Sequence, residues 1–261
     1  MLMTERSDRV SDYFARWREV TSARIGLGRF GQGMPTRPLL EFQLAHARAR
    51  DAVHSILDTN RLAEAIEGEV LRVHSAAPDR AAYLQNPGLG RQLSQGACLP
   101  EMACDLAIVL ADGLSATAIQ NHGARIANEL RRLLPDWRAA PAVIAEQGRV
   151  AIGDEIGSRL GADLVVVLIG ERPGLSAADS VGAYLTWKPR AGRADSERNC
   201  ISNIRTPGGL APELGAANIA WLAREARALR LTGVGLKDRF ADTGTLTERR
   251  GRDSKIESDP I

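Results

Sequence analysis

Lysine is scarce in this 261-residue chain: only Lys188, Lys237 and Lys255 stand among 34 cationic side chains. The other cations are arginines, which are favoured where phosphates or carboxylates are gripped bidentately. Codon usage in a GC-rich genome would by itself account for such an excess. The 32 acidic residues leave a net charge of only +2, which excludes a general affinity for nucleic acid. Aromatics are only 4% of the chain, so the core must be built from Leu, Val, Ile and Ala. Cysteine is rare too: Cys98, Cys104 and Cys200 cannot all pair within one chain and show no CxxC spacing, so a reducing, cytoplasmic address is expected. Long apolar runs are missing. The longest, 106–111 and 164–169, are far too short to span a bilayer. The first twenty residues are charged throughout, with no apolar stretch of a secretion signal. At 44% hydrophobic and 25% charged, the chain is globular, and its length fits one large domain or two small ones.

The N-terminal third reads as helices and loops. From Asp8 to Val20, Val10, Phe14, Trp17 and Val20 recur at helical spacing. Gly26, Gly28 and Gly31 spell GxGxxG, but this run follows a helical pattern and leads into a Pro-rich stretch. A dinucleotide fingerprint must follow a strand and open a helix, so the segment reads as a connecting loop. Thr36 is read as the N-cap of a helix with Pro38 in its first turn and a stripe through Leu39, Leu40, Phe42, Ala45, Ala49 and Val53. With no Cys or carboxylate at ligand spacing, His46 and His54 read as surface or interface residues. A short strand is expected within Glu69 to Ser75, and Tyr83 to Gly96 reads as mostly turn.

Strand and helix then alternate. Asp105 to Ala111 and Asp163 to Ile169 are apolar runs of strand length, Ala142 to Ala145 is a weaker one, and Gly182 to Trp187 is a fourth. Between them lie a helix capped by Ser115, with Ala118, Ile119, Ile126, Leu130 and Leu134 inward, and a short helix ending near Gly161. Leu214 to Leu229 is a long amphipathic helix. This alternation predicts an α/β fold: a Rossmann-like, mostly parallel sheet with helices on both faces, preceded by a mainly helical N-terminal region. The expected divisions are 1–100 for the helical region, 101–239 for the Rossmann-like domain and 240–261 for a disordered tail.

Such folds bind ligands beyond the carboxyl ends of their strands. The segments of interest are therefore Asp112 to Ser115, Arg149-Val150, Gly170 to Leu175, and Lys188 to Arg205, the last read as one long polar loop. No metal-ligand cluster, Walker A loop, GxSxG elbow or catalytic His–Glu pair occurs. His122 reads as a solvated helix residue, and no histidine follows it. Cys200 could be a nucleophile without a nearby histidine, or a small packing residue. The pattern fits a site that holds a large polar ligand by amides, arginines and backbone groups while another chain performs the reaction. The other function it allows is a stand-alone α/β enzyme binding a phosphorylated metabolite or nucleotide at its strand-end loops, with the anion at the helix opening at Ser115.

The run Gly170-Glu-Arg-Pro-Gly-Leu-Ser176, then Tyr184 with Pro189-Arg190, then Glu197-Arg-Asn-Cys-Ile-Ser-Asn-Ile-Arg205 resembles the small (light) subunit of ethanolamine ammonia-lyase. Asp112-Gly-Leu-Ser-Ala-Thr-Ala-Ile119 and Gly148-Arg-Val-Ala-Ile-Gly-Asp-Glu-Ile-Gly157 agree with the same family, and the likeness runs in order from Ile25 to Asp238. The resemblance implies an adenosylcobalamin-dependent lyase that converts ethanolamine to acetaldehyde and ammonia by radical chemistry. Its large subunit is a TIM barrel that holds the substrate, and the corrinoid is clamped between the subunits of a hetero-oligomer, expected as a trimer of heterotetramers. The N-terminal region is expected to pack on the large subunit, with no nucleic-acid or membrane partner.

By motif matching, the cobalamin-binding positions fall on Val150, Glu171 and Cys200, and no catalytic residue or metal ligand is assigned to this chain. Val150 is expected to give apolar and backbone contact, Glu171 to accept hydrogen bonds from corrin amides, and Cys200 to pack on the corrin or its nucleotide tail. A salt bridge to a neighbour such as Arg172 is the plainer role for Glu171. Neither His74 nor His122 stands in the Asp-x-His-x-x-Gly context that places a protein histidine on cobalt, so base-on binding is expected. Relatives housed in a bacterial microcompartment can carry a long N-terminal extension, whereas about two dozen residues precede the first matching segment here. The expected address is the cytoplasm, inside such a compartment or outside it.

Overall fold

Apolar runs too short for a membrane become the strands of one sheet. A computed structural model of the chain describes residues 14–21 and 23–240. Residues 14–20 are helical and form the described part of α1; the rest of the helix expected from Asp8, and the expected tail beyond residue 240, lie outside the described residues. There follow α2 (Thr36–His54), α3 (Thr59–Ala65), β1 (Val70–His74), α4 (Arg80–Gln85) and β2 (Leu106–Ala111). Next come α5 (Ala116–Ala118), a π-helical turn (Ile119–Gly123) and α6 (Ala124–Leu133), three pieces of one rod. The chain continues through β3 (Ala142–Glu146), α7 (Ile152–Arg159), β4 (Leu164–Gly170), β5 (Val181–Trp187), β6 (Asn199–Ile204) and α8 (Pro212–Leu229). No helix among the described residues is long and apolar enough to cross a membrane.

The strands lie in the order β1-β3-β2-β4-β5-β6. The first four are parallel, with Val109 level with Val143 on one side and Val167 on the other. β5 and β6 are antiparallel additions at one edge. The fold is thus the mostly parallel α/β sheet that the alternation predicts. Every residue of β2 and β4 is buried, as continuous apolar strands covered on both faces must be. Leu106, Ile108, Leu110, Val166 and Leu168 face a core completed by α6 and α8, through Ile126, Leu130, Ile219 and Leu222. Ala107, Val109, Val165 and Val167 face the opposite way, onto Ile152 and Ile156 of α7.

Four local readings change. The segment Lys188 to Arg205 is not one loop, because its second half is β6. Ile201 and Ile204 are both buried although three residues apart; they face Ala183 and Val181 across a β-bulge, and Asn203 takes the left-handed conformation there (φ 58°). The bulge hides the two-residue alternation by which a strand is read. Within the supposed turn after Tyr83, the ring belongs to α4, a six-residue helix capped by Asp79, whose carboxylate accepts from the Ala82 N–H at 2.8 Å. Thr36 begins α2 rather than capping it. His122 is buried in the π-helical turn, 3.4 Å from Asp179 Oδ2, rather than solvated.

α2 buries little of its apolar stripe: Ala52 is its one fully buried residue, while Leu39, Leu40, Phe42 and Leu44 are exposed. The stretch 23–35, which holds the GxGxxG run, is a loop.

Candidate functional site

The chain leaves β2 toward β3 on one side, and leaves neighbouring β4 toward β5 on the other, so their carboxyl ends form the topological switch point of the sheet. There the two loops cross in backbone contact. The Leu114 N–H donates to Gly170 O at 2.9 Å, and a Cβ on Gly170 would stand 2.0 Å from Ser115 O. Only glycine allows that approach. Ser115 caps its helix as expected, but it is fully buried, with its Oγ accepting from the Ala118 N–H and donating to Ala178 O. The helix opening proposed for an anion is therefore closed.

Beside this crossing lies a groove of two adjoining lobes. One, of about 390 Å³, is lined by Gly113, Leu114, Arg149, Val150, Ile169, Gly170, Glu171, Arg172 and Tyr184. The other, of about 330 Å³, is lined by Pro87, Arg91, Arg149, Val150, Ala151, Tyr184 and Asp195. Val150 and Tyr184 thus sit at the waist.

The loop carrying Val150 is fixed from below. Asp112 Oδ1 accepts from the Gly148 N–H at 3.0 Å, and Tyr83 donates its hydroxyl to Gly148 O at 3.1 Å. The Arg149 N–H donates to Gly90 O at 2.7 Å. Arg80 ties three segments together, donating to Val53 O (2.8 Å), Gly113 O (2.8 Å) and Asp112 Oδ2 (3.4 Å). Burial pushes the Asp112 carboxyl up to about 6 against the opposing pull of Arg80.

Glu171 leaves the end of β4 and turns its carboxylate over β5 toward β6. It accepts from Ser202 Oγ at 2.5 Å and from the Asn203 N–H at 3.1 Å, and it forms no ion pair with Arg172. Gly182 makes the room, since a Cβ there would lie 3.0 Å from Glu171 Oε1. Cys200 lies opposite Tyr184 in the β5–β6 ladder. Although Cys200 is exposed as a residue, partial desolvation of its sulfur beside Tyr184 pushes the thiol up, and a hydrogen bond from the Tyr184 hydroxyl only partly offsets this. The thiol therefore stays protonated, which suits a packing contact rather than a nucleophile. α7 covers the sheet on this side only as far as β4 and part of β5, so Tyr184 is half-buried and Cys200 and Ser202 are exposed. Of the three residues chosen from the sequence, Val150 and Glu171 line one lobe and Cys200 stands one strand away behind Tyr184.

The arginines of the segments singled out from the sequence separate here, because antiparallel β5 carries Arg198 back to the amino end of β4. Arg198 is buried and bidentate to Asp154, at 2.7 Å to each oxygen, with Thr186 Oγ1 at 2.8 Å. It pins the start of β6 to α7 and offers nothing to a ligand. Arg149 and Arg172 do line the groove. Sequence reasoning passed over Arg80, Asp112, Ser202 and Asn203 as individual site residues. Asp112, Ser202 and Asn203 lie in matched motifs, but the contact of the last two with Glu171 spans about thirty residues of chain.

Sheet order and groove define a doubly wound α/β domain with a groove that lies open at its switch point. Comparison with known proteins narrows the class. The family described as ethanolamine ammonia-lyase light chain (EutC) matches residues 11–237. The chain is 49% identical over 251 residues to the ethanolamine ammonia-lyase small subunit of Pseudomonas fluorescens (strain Pf0-1), covering 91% of each protein. It is 51% identical over 239 residues to that of Bradyrhizobium diazoefficiens, covering 86% of this chain and 90% of the relative. The small subunit of Xanthomonas campestris pv. campestris (strain B100) is 49% identical over 240 residues. This chain belongs to the ethanolamine ammonia-lyase light-chain family.

Proposed function

We propose that this chain is the small subunit of an adenosylcobalamin-dependent ethanolamine ammonia-lyase, and that its groove forms half of the cofactor site, closed by a large barrel subunit that holds ethanolamine. The observation that carries this reading is the convergence of Val150, Glu171 and the Tyr184–Cys200 pair on one open groove at the switch point.

The residues present suit a corrin. Its rim bears primary amides around an extensive apolar framework, and the groove offers apolar Val150, the half-buried Tyr184 ring and carboxylate oxygens of Glu171 held in place from β6. Each Glu171 oxygen has a lone pair left for a corrin amide N–H. Cys200 packs beside Tyr184, against the corrin or its nucleotide tail. Base-on binding of the cofactor belongs to this reading. When bound, adenosylcobalamin supplies the radical that starts the rearrangement to acetaldehyde and ammonia. This chain's own residues bind and orient the cofactor and exclude water from its face. The two lobes together are far too shallow to enclose it, so a partner must cover the other face. The exposed apolar stripe of α2 supports packing of the N-terminal region on that large subunit, in the trimer of heterotetramers carried over from the family, in the cytoplasm and within a microcompartment where one is present.

Purified alone, the chain should not turn over ethanolamine. Co-expressed with its large subunit, it should do so only when adenosylcobalamin is added. Turnover by the isolated chain, or by the complex without the cofactor, would overturn the reading.

A further inference from the structure

Several arginines around the sheet have acidic partners. Arg80 meets Asp112, Arg138 meets Asp105, Arg193 meets Glu197 and Arg198 meets Asp154. Arg149 differs. Its guanidinium lies 4.4 Å from the centre of the Tyr83 ring, its Nε is buried with no hydrogen-bond partner, and among the described residues it is in no ion pair. It nonetheless borders both lobes of the groove. The nearby acids are already engaged: Asp112 by Arg80 and the Gly148 N–H, Glu171 by Ser202 and Asn203, and Asp195 by Arg198 at 3.4 Å. A partly desolvated cation without a counter-charge is unfavourable and is expected to be matched by an anionic ligand. The ring beneath holds the planar group in one orientation, which suits bidentate contact with a phosphate.

We infer that Arg149 is the anion-recognition residue of the groove and binds the phosphodiester of the cofactor's nucleotide loop. The inference rests on the cobalamin reading above and deepens it. It places the nucleotide tail at the waist of the groove, with the amide-bearing rim toward Glu171. Arg172, exposed on the wall of the first lobe, adds long-range attraction.

The test uses the assembled two-subunit enzyme and two probes followed by absorbance: cyanocobalamin, and dicyanocobinamide, which lacks the nucleotide phosphodiester. Arg149→Met keeps the aliphatic stem over Tyr83. It should weaken cyanocobalamin binding about tenfold or more, while changing dicyanocobinamide binding by less than about twofold, as expected for loss of a charged hydrogen bond made only to the first probe. Arg149→Lys, which keeps the charge but not the fork, should fall between. Thermal unfolding of the complex checks that the variants remain folded, and sedimentation checks that they assemble. Equal losses for both probes would reduce Arg149 to a packing residue and overturn the inference, as would unchanged affinity for both. Weakened subunit association with normal cyanocobalamin binding would place its anion on the partner and overturn it as well. Failure of the unaltered complex to bind either probe would overturn the cobalamin reading itself, and the inference with it.

Discussion

Asp112 sits beneath the groove with its carboxylate shared between Arg80 and the Gly148 N–H, and burial raises it from an ordinary 3.8 to about 6. An acid that holds its proton more tightly in the folded state adds stability as pH falls from about 6 toward 3.8, and adds none of it above pH 6. Urea unfolding of the unaltered chain and of Asp112→Asn should therefore diverge on acidification. The stability of the unaltered chain relative to the variant should rise between pH 7 and pH 4.5; a constant difference would show that Asp112 does not titrate there. Glu171 is the opposite case, a carboxylate at the rim whose oxygens are aimed by β6. Glu171→Ala should raise the apparent cobalamin dissociation constant of the assembled enzyme by about tenfold and leave the fold nearly intact. Gly182→Ala, which crowds Glu171 Oε1, should cause a smaller loss of the same kind. Unchanged affinity in Glu171→Ala would remove Glu171 from the cofactor site.

β6 is the element on which the site depends. It aims Glu171 and carries Cys200, and it is anchored to α7 through the Arg198–Asp154 pair, both of whose side chains are about 97–98% buried. Removing one partner of a buried ion pair leaves an unpaired charge, so Arg198→Met should cost about 3–5 kcal/mol in urea unfolding. Pairing it with Asp154→Leu should recover most of that loss. If the single variant cost less than about 1 kcal/mol, the value of an exposed pair, the anchor would be dispensable. This element was also the least legible from sequence. β2 and β4 announce themselves as unbroken apolar runs, and Ser115 as an N-cap before a helical pattern. β6 has two inward isoleucines out of step, because Asn203 absorbs a residue in a bulge. α4 was missed for a different reason: six residues are too few to show a helical period.

Across the whole molecule, exposed apolar side chains gather in the N-terminal region. Phe30 and Ile56 are 82% and 84% exposed, and Leu40 and Leu44 are more than half exposed. Scattered exposed apolar residues are ordinary, but a clustered set marks an interaction surface. Leu40→Glu combined with Leu44→Glu should lower the yield of assembled two-subunit complex in size-exclusion chromatography and make the isolated chain more soluble. Normal assembly of that variant would move the interface elsewhere.

The sequence by itself determined the class of fold, most of the strands and helices, and the family, because each is written in local pattern: apolar runs, helical spacing and contiguous motifs. It also pointed to Val150, Glu171 and Cys200 through those motifs. Only the tertiary structure decided what each charged side chain meets. Arg198 and Arg149 are equivalent letters, but antiparallel β5 carries the chain before Arg198 back to the amino end of β4, whereas Arg149 follows the carboxyl end of β3. One is locked to Asp154, 44 residues away, and the other borders the groove without an acidic partner. Strand order and the bulged register of β6 make that difference, and both are long-range consequences of packing rather than properties of neighbouring residues.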